Sequence, residues 1–598
     1  MSAIAAFCDR TQPADHDKVQ SMLATAPHRG REHLIDSLGP FALGVARDPD
    51  WPRASLFRSD RLLAVLAGRL DNLSYLSQQL DRPQSAESNK EEAAEILLAV
   101  FQKWGPKGVD RLRGSFTGFI TDGRSLWAFR DHFGTRPLYY SDHAGRFAAA
   151  SEIKQVLAVA EVPAEPNTRY LQWLIFGGRD LADTAYRHVR RIQKRTVVEI
   201  SSESSEARKT EYWDPSPIVA TAKLDLNEAI DGLREALQTA VSRAMSGEDA
   251  ILLSGGLDSP ALAAFAAKGP YPSRPIQAAT SVYPDYPSVD ESKWTRLVAD
   301  YLGIELHEFV AQASNLDDLE YWLRLTDGPI DLLSIPESAE AYRFCRSLGA
   351  RTVLTGEMAE VVFESRGYLL DHLVASGQWR QAIRLLGGPR KTLRQSGWLG
   401  RELVRMCAPP AWVLAYRERN RRRHPHPGIP KWIDQGHFSY DGAVFYDTFP
   451  TRQRWVEVQT GWLRGPSVGV DADEVCASVC GVEVRRPFSD VDLFEYVLTL
   501  PASVKFHGPR HKPLLRTAMR GLIPDAIVDR KDKTLFNEYL LAKAEYPTLR
   551  KTLVGSRHQV EGIDYALLSS RIESGNLSIG ELQWARDLAR IHAFLDQW

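Results

Sequence analysis

Residues 249–267 constrain this chain more tightly than any other stretch. The apolar run Ala250-Ile251-Leu252-Leu253 has the length of a buried strand and stops at Ser254-Gly255-Gly256-Leu257-Asp258-Ser259. A helical pattern from Pro260 to Ala267 follows at once, giving a strand–loop–helix unit. The glycines let backbone N–H groups approach an anion closely, and the helix N-terminus behind them favours negative charge. Pro260 suits a first helical turn, where no N–H is needed. No Gly-Lys-Ser/Thr is present, so this is not a Walker A loop, whose lysine reaches the terminal phosphates.

At 598 residues the chain exceeds one hydrophobic core and should divide into two or more domains. A net charge of -2 gives no global reason to expect nucleic acid or a membrane surface as partner. The five cysteines are scattered, which argues against a disulfide framework. Cys476 and Cys480 fall four apart, but no further His or Cys completes a zinc site. The first residues lack a basic, then apolar, signal-peptide pattern, and no apolar run reaches bilayer length. A cytoplasmic location is expected.

Residues 1 to about 200 read as short strands with a few helices. The alternating strand Ser115 to Ile120 and the run Leu126 to Phe129 flank Asp122-Gly123, a hairpin signal. Arg130-Asp131-His132-Phe133-Gly134-Thr135-Arg136-Pro137-Leu138-Tyr139-Tyr140 and Phe147-Ala148-Ala149-Ala150-Ser151-Glu152-Ile153-Lys154 come next. In wording and spacing these strings resemble the glutaminase domain of class B asparagine synthetases. His28-Arg29-Gly30 and Tyr212-Trp213-Asp214 fall where that family has them. The resemblance implies an αββα sandwich of the N-terminal-nucleophile type over residues 1–205, joined through a polar linker (Ser201 to Arg208) to a second domain at 206–598. In that family a cysteine at the mature N-terminus attacks glutamine. Ser2 stands in its place, and a hydroxyl is far less nucleophilic than a thiol near neutral pH. The family's oxyanion-hole Asn-Gly stands here as Ala67-Gly68, and alanine carries no donor. Cys8 lies six residues inside the strand. Glutamine hydrolysis is expected to be absent, leaving this domain a structural or docking role.

The second half alternates strands and helices, as a parallel α/β sheet with nucleotide at its carboxyl edge would. Ser254 to Ser259 resembles the PP-loop of ATP pyrophosphatases, which cleave ATP between the α and β phosphates. The resemblance implies a PP-loop parallel α/β domain with a helical extension, ATP bound by Ser254, Gly255, Gly256, Asp258 and Ser259, and Mg²⁺ held by Asp258. Asp290-Glu291-Ser292 and Gly303-Ile304-Glu305-Leu306-His307 again resemble asparagine synthetase. The loop Thr355-Gly356-Glu357-Met358-Ala359-Glu360 stands where the family has Ser-Gly-Glu-Gly-Ser-Asp-Glu. This makes Glu357 the active-site glutamate and Glu360 a magnesium ligand, with Met358 and Val361 departing from the pattern. Gly481-Val482-Glu483-Val484-Arg485-Arg486-Pro487-Phe488-Ser489-Asp490 resembles the family's Gly-x-Glu-x-Arg-x-Pro-Phe-x-Asp, and Lys512 to Arg516 continues the likeness. Glu483 is thereby expected at the active site. In relatives, a lysine just after an arginine such as Arg530 stabilises the acyl-adenylate step. Lys531 and Lys533 both fit, and the resemblance of the spacing Arg-x-x-Lys to that of lasso-cyclase relatives implies Lys533.

A carboxylate activated as its adenylate and then taken by an amine gives an amide. A chain without glutamine chemistry suits a substrate that carries its own amine, as in β-lactam synthetases and lasso-peptide cyclases. Trp379-Arg380, Arg390-Lys391, Arg401, Arg405, Arg417, Arg419, Arg421 to Arg423 and Pro430-Lys431-Trp432 form an arginine- and tryptophan-rich stretch resembling lasso cyclases. It could line a groove for a precursor (core) peptide. The expected reaction joins that peptide's N-terminal amine to an Asp or Glu side chain as a macrolactam. A small-molecule amide ligase and a non-catalytic partner-binding relative stay open, as does the need for a bound leader peptidase.

Overall fold

The computed structural model describes residues 2–82, 92–176, 182–204, 207–313, 318–329, 335–363, 428–437, 454–465, 468–507, 510–531 and 534–597, with scattered positions between 373 and 419. The first domain stacks two six-stranded antiparallel sheets. One runs Arg190–Arg191, Tyr139–His143, Arg146–Ala150, Ser2–Asp9, Phe41–Arg47, Glu32–Leu38. The other runs Arg208–Glu211, Thr196–Ser201, Ser125–Arg130, Gly114–Thr121, Leu63–Leu70, Ala54–Arg58. The period-2 alternation of a strand decides which side chain enters which layer. Ile4, Ala6 and Cys8 enter the core between the sheets, while Ala3, Ala5 and Phe7 meet the helices His16–Ala24 and Ile153–Leu157. The helix Glu92–Trp104 covers the second sheet, completing the expected αββα sandwich. At the hairpin turn the Asp122 carboxylate accepts from the N–H groups of Arg124 and Ser125 at 2.8 and 2.7 Å.

One boundary needs correction. Thr196–Ser201 and Arg208–Glu211 are paired antiparallel strands of the same sheet. The polar stretch from Ser201 to Arg208 therefore connects two strands instead of two domains, and the first domain runs past residue 205. A polar hairpin and a polar linker have the same composition; only the pairing separates them.

The second domain is built on a five-stranded parallel sheet, ordered Leu306–Val310, Gln277–Val282, Asp249–Leu252, Thr352–Leu354, Glu483–Arg485. Both faces are covered, as parallel sheets require. Ile251, Ala278 and Leu354 pack toward the helices Leu226–Ala244, Asp258–Ala266 and Ser292–Leu302. Ala250, Ala279 and Val353 pack toward Ile335–Ser347 and Val468–Val479. Cys476 and Cys480 belong to that second core, their thiols donating to the carbonyls of Ile335 and Ala339. Among the described residues no cluster of His, Cys, Asp and Glu assembles a metal centre of three or more such groups. The helices Tyr546–Val554, Tyr565–Glu573 and Ile579–Leu595 form the helical extension, packed with Thr168–Phe176 of the first domain.

The two domains share one continuous core. Phe133 of the first lies against Trp213, Trp462 and Phe494. The helix Val468–Val479 supplies acids to arginines that cross the joint. Asp471 pairs with Arg130 and, at 2.7 Å, with Arg191, while Glu474 takes Arg29 at 2.6 Å. Among the described residues no helix is long and apolar enough to cross a membrane.

Candidate active site

The loop Leu253–Leu257 leaves the central strand Asp249–Leu252, and the helix Asp258–Ala266 starts directly behind it. That helix has no side-chain cap: its N-cap is Leu257, so its first N–H groups remain available to an anion. The loop is braced from inside. Ser259 Oγ accepts from the Ser254 N–H at 2.9 Å, and the Gly255 N–H donates to Glu291 at 3.0 Å. Arg530 donates to the Gly255 carbonyl at 2.6 Å, to Glu291 at 2.8 Å and to Thr534 at 2.7 Å, lying over the Trp294 ring. A Cβ on residue 255 would stand 2.7 Å from Arg530 Nη1 and 2.9 Å from Trp294 Cβ. Gly255 is thus a packing requirement, while a Cβ at Gly256 would meet only Ser254 Oγ, at an ordinary contact distance of 3.4 Å.

In front of the loop lies a cleft of about 460 Å³, lined by Ser254, Gly256, Asp258, Glu360, Lys512 and Arg530 among others. Small-molecule sites typically span about 300–1,000 Å³. Arg516 and Lys531 add positive charge to its wall, with His511 beside them. The size, the uncapped helix end and the cationic lining suit a nucleoside triphosphate.

Lys512 Nζ sits between two acids, 2.6 Å from Asp258 Oδ2 and 3.3 Å from Glu360 Oε1. The other Asp258 oxygen, Oδ1, is buried with no hydrogen-bond partner among the described residues. Burial pushes the Asp258 carboxyl up, with Glu360 adding to that and Lys512 opposing it. An orphaned carboxylate oxygen beside a second carboxylate is a donor set that Mg²⁺ accepts, completed by phosphate oxygens and water. Asp258 and Glu360 would hold the ion, and it would offset charge on departing pyrophosphate.

Glu357 follows the strand Thr352–Leu354 and stands next to the loop, because Gly356 abuts Asp258 and Ser259. Its carboxylate takes Arg486 Nε at 2.5 Å, and buried Arg486 is held in turn by Asp473, which accepts from Tyr342 at 2.7 Å. Met358, where the family has glycine, adopts φ +75°. The left-handed backbone is the reason glycine suits that position. Lys531 lines the cleft; Lys533 lies outside the described residues.

Glu483 is placed elsewhere. It is buried in the domain joint, 3.1 Å from Arg485 and within 4 Å of Arg53, Arg69 and Arg136, and does not line the cleft. Burial opposes its charge, yet the four arginines together hold its carboxyl well below the usual range. The family resemblance put Glu483 at the active site; the packing of the two domains turns its side chain into their joint.

Most of the arginine- and tryptophan-rich stretch lies outside the described residues, including Arg390-Lys391, Arg401, Arg405, Arg417 and Arg421 to Arg423. Trp379 is half exposed on the helix Trp379–Leu385. Trp432, expected to face a groove, is 1% exposed and packed into the core of the helical extension.

In the first domain, Ser2 is buried and its hydroxyl donates to the Arg53 carbonyl at 2.8 Å, with Arg136 Nη1 at 3.4 Å. Ala67 is a sheet residue paired between Ala54 and Thr117. Arg29 is consumed by Glu152 and Glu474. The Cys8 thiol is sealed between the sheets, where burial pushes it up to about 11. Lys512, Glu291 and Arg530 are the site residues that sequence reasoning left without roles. All three lie in strings already similar to the family, and the need of buried Asp258 for a cation was the signal for Lys512.

An amidotransferase-type sandwich fused to a parallel-sheet nucleotide domain defines a synthetase with a built-in amidotransferase fold. Residues 232–598 match the model of asparagine synthase and residues 1–213 that of a glutamine amidotransferase domain. The chain belongs to the asparagine synthase family, ATP-dependent ligases that form amides. It is 25% identical to asparagine synthetase [glutamine-hydrolyzing] 3 of Bacillus subtilis (strain 168), over 95% of this chain and 92% of that one. It is 27% identical to a putative asparagine synthetase of Mycobacterium tuberculosis (strain ATCC 25618 / H37Rv), over 79% of this chain and 74% of that one. A solved glutamine phosphoribosylpyrophosphate amidotransferase from B. subtilis aligns with 59% of this chain and 81% of its own, at 13% identity and a TM-score of 0.27.

Proposed function

We propose that this chain is a glutamine-independent amide ligase whose substrate brings its own amine, and that its product is a peptide macrolactam of the lasso type. The observation that carries the reading is the state of the first domain. The hydroxyl at Ser2 is tied to the Arg53 carbonyl, and the neighbouring position 67 offers no side-chain donor. A missing oxyanion donor alone costs on the order of a hundred- to a thousandfold in rate. Ammonia from glutamine is then not the nucleophile.

In the proposed reaction an Asp or Glu side-chain carboxylate of the peptide attacks the α-phosphorus of ATP, and pyrophosphate departs. The peptide's N-terminal amine then attacks the acyl carbon, AMP leaves, and the amine's proton passes to a base. The loop N–H groups and the uncapped helix end receive the phosphates. Lys512 and Lys531 supply fixed positive charge where negative charge builds. Lys533 is proposed for the same part. Glu357, paired with Arg486, is assigned as the carboxylate that faces the incoming amine. A leader peptidase would be the source of the free peptide N-terminus.

The relatives favour a second reading, an asparagine synthetase that takes free ammonia, since the B. subtilis protein aligns along nearly the whole chain. Purified protein with Mg-ATP separates the two. AMP together with a precursor peptide that has lost one water is the expected outcome. AMP formed with aspartate and ammonium, and with no peptide, would replace the macrolactam reading by the second.

A further inference from the structure

Glu357 is gripped by one oxygen only. Arg486 Nε donates to its Oε2 at 2.5 Å, and among the described residues Oε1 has no hydrogen-bond partner. Nε and Nη2 lie along one edge of a guanidinium, and a lone carboxylate frequently closes on both, side by side. Here Nη2 donates to Asp473 Oδ2 instead. Asp473 is itself held on its other oxygen, to which Tyr342 donates at 2.7 Å. The guanidinium edge is thus split between two acids, and Glu357 keeps one oxygen free.

The split is built from buried parts. The Arg486 side chain is 3% exposed, and Asp473 and Tyr342 are buried, whereas the Glu357 side chain is 53% exposed. Tyr342 comes from the helix Ile335–Ser347 and Asp473 from Val468–Val479, which Asp471 and Glu474 fix to arginines of the first domain. Burial pushes the Asp473 carboxyl up to about 6, with Arg486 opposing and Glu357 adding to it, which leaves it ionised at neutral pH. Two carboxylates therefore share one guanidinium, and Glu357 is the exposed end of a cluster with net negative charge. Glu357 directly follows Gly356, which abuts Ser259 of the nucleotide loop, and Glu360 of the cleft wall comes soon after it. An amine arriving there meets a carboxylate oxygen with no competitor.

We propose that Asp473, seated by Tyr342, is a positioning residue: by holding Nη2 of Arg486 it leaves Glu357 Oε1 free to receive the substrate's amine. The proposal rests on the amide-forming reading and is the same for either amine, the peptide's or free ammonia.

Asp473→Leu tests it by separating the two half-reactions, with a precursor peptide or with aspartate and ammonium, whichever the natural chain uses. Exchange of pyrophosphate into ATP reports adenylate formation and should be unchanged. Amide formation should fall about tenfold or more, as the loss of a charge-assisted hydrogen bond implies. A fall in both together means a structural role only, and no fall in either means no role; each overturns the proposal. A crystal structure of the same variant needs no turnover, and should show Nε and Nη2 of Arg486 closed on both oxygens of Glu357. Glu357 still held by one oxygen would overturn the proposal on geometry alone. A natural chain that forms no adenylate with either substrate set removes the amide-forming reading, and the crystal structure then decides what Asp473 does to Glu357. Should Asp473→Leu fail to fold, Asp473→Asn, which keeps the shape but offers one oxygen to two donors, should move both readouts in the same direction.

Discussion

Lys512 is the residue on which the cleft turns. It is 4% exposed and is shared by Asp258 and Glu360, so it keeps two carboxylates together that would otherwise repel. Removing one partner of a buried pair costs about 3–5 kcal/mol. Here Asp258 is 22% exposed and Glu360 half exposed, so Lys512→Met should cost less, about 2 kcal/mol, read from urea unfolding. Asp258→Ala has a different signature. It should abolish AMP release while leaving the fold intact, because the residue lines the cleft and is 22% exposed. Unchanged AMP release in that variant would remove Asp258 from the machinery. A chain that binds a partner but never releases AMP, natural or variant, would be a scaffold.

Two loops from adjacent parallel strands build the site, and their closeness is an element-scale property. The loop after Thr352–Leu354 presses Gly356 against the start of the helix Asp258–Ala266, where an added Cβ would lie 2.7 Å from the Ser259 nitrogen. A backbone atom cannot swing aside as a side-chain tip can. Gly356→Ala should therefore push the two loops apart, costing about 1–3 kcal/mol as an overpacked core does. Nucleotide affinity should weaken with it, measurable by calorimetry with a non-hydrolysable ATP analogue. Unaltered stability and affinity would mean that the loops are more yielding than this packing implies.

At the scale of the molecule, the helix Val468–Val479 is the hinge-pin between domains. Its Asp471 is the partner of both Arg130 and Arg191, each almost fully buried. Asp471→Asn removes the carboxylate that both buried guanidinium groups share and should destabilise by about 3–5 kcal/mol. Chemical denaturation that splits from one transition into two, with the amidotransferase-type sandwich unfolding apart from the nucleotide domain, is the expected result. A single transition at the natural midpoint would show that the apolar contacts of Phe133, Trp213 and Phe494 carry the joint alone.

The strand–glycine–helix unit at 250–267 and the hairpin at Asp122-Gly123 follow from local pattern, since turn chemistry and apolar periodicity act between near neighbours in the chain, whereas the αββα sandwich came from the family resemblance. Ser254 to Ser259, Glu357 and Glu360 were picked out as contiguous strings that resemble the family's motifs, and the fold brings Asp258 and Glu360 to the same lysine. The course of 201–208 was not legible, because a strand's partner lies outside its own segment. Nor was the parting of Glu357 from Glu483: both stand at strands of one parallel sheet, but the first pairs with Arg486 and the second enters the domain joint among Arg53, Arg69 and Arg136. Lys512 lies 254 residues from Asp258, and Glu483 lies hundreds of residues from Arg53 and Arg69. Charge pairing across such separations is decided by which surfaces the folded domains bring together. The sequence by itself settled what each segment forms; the tertiary structure settled which charges meet.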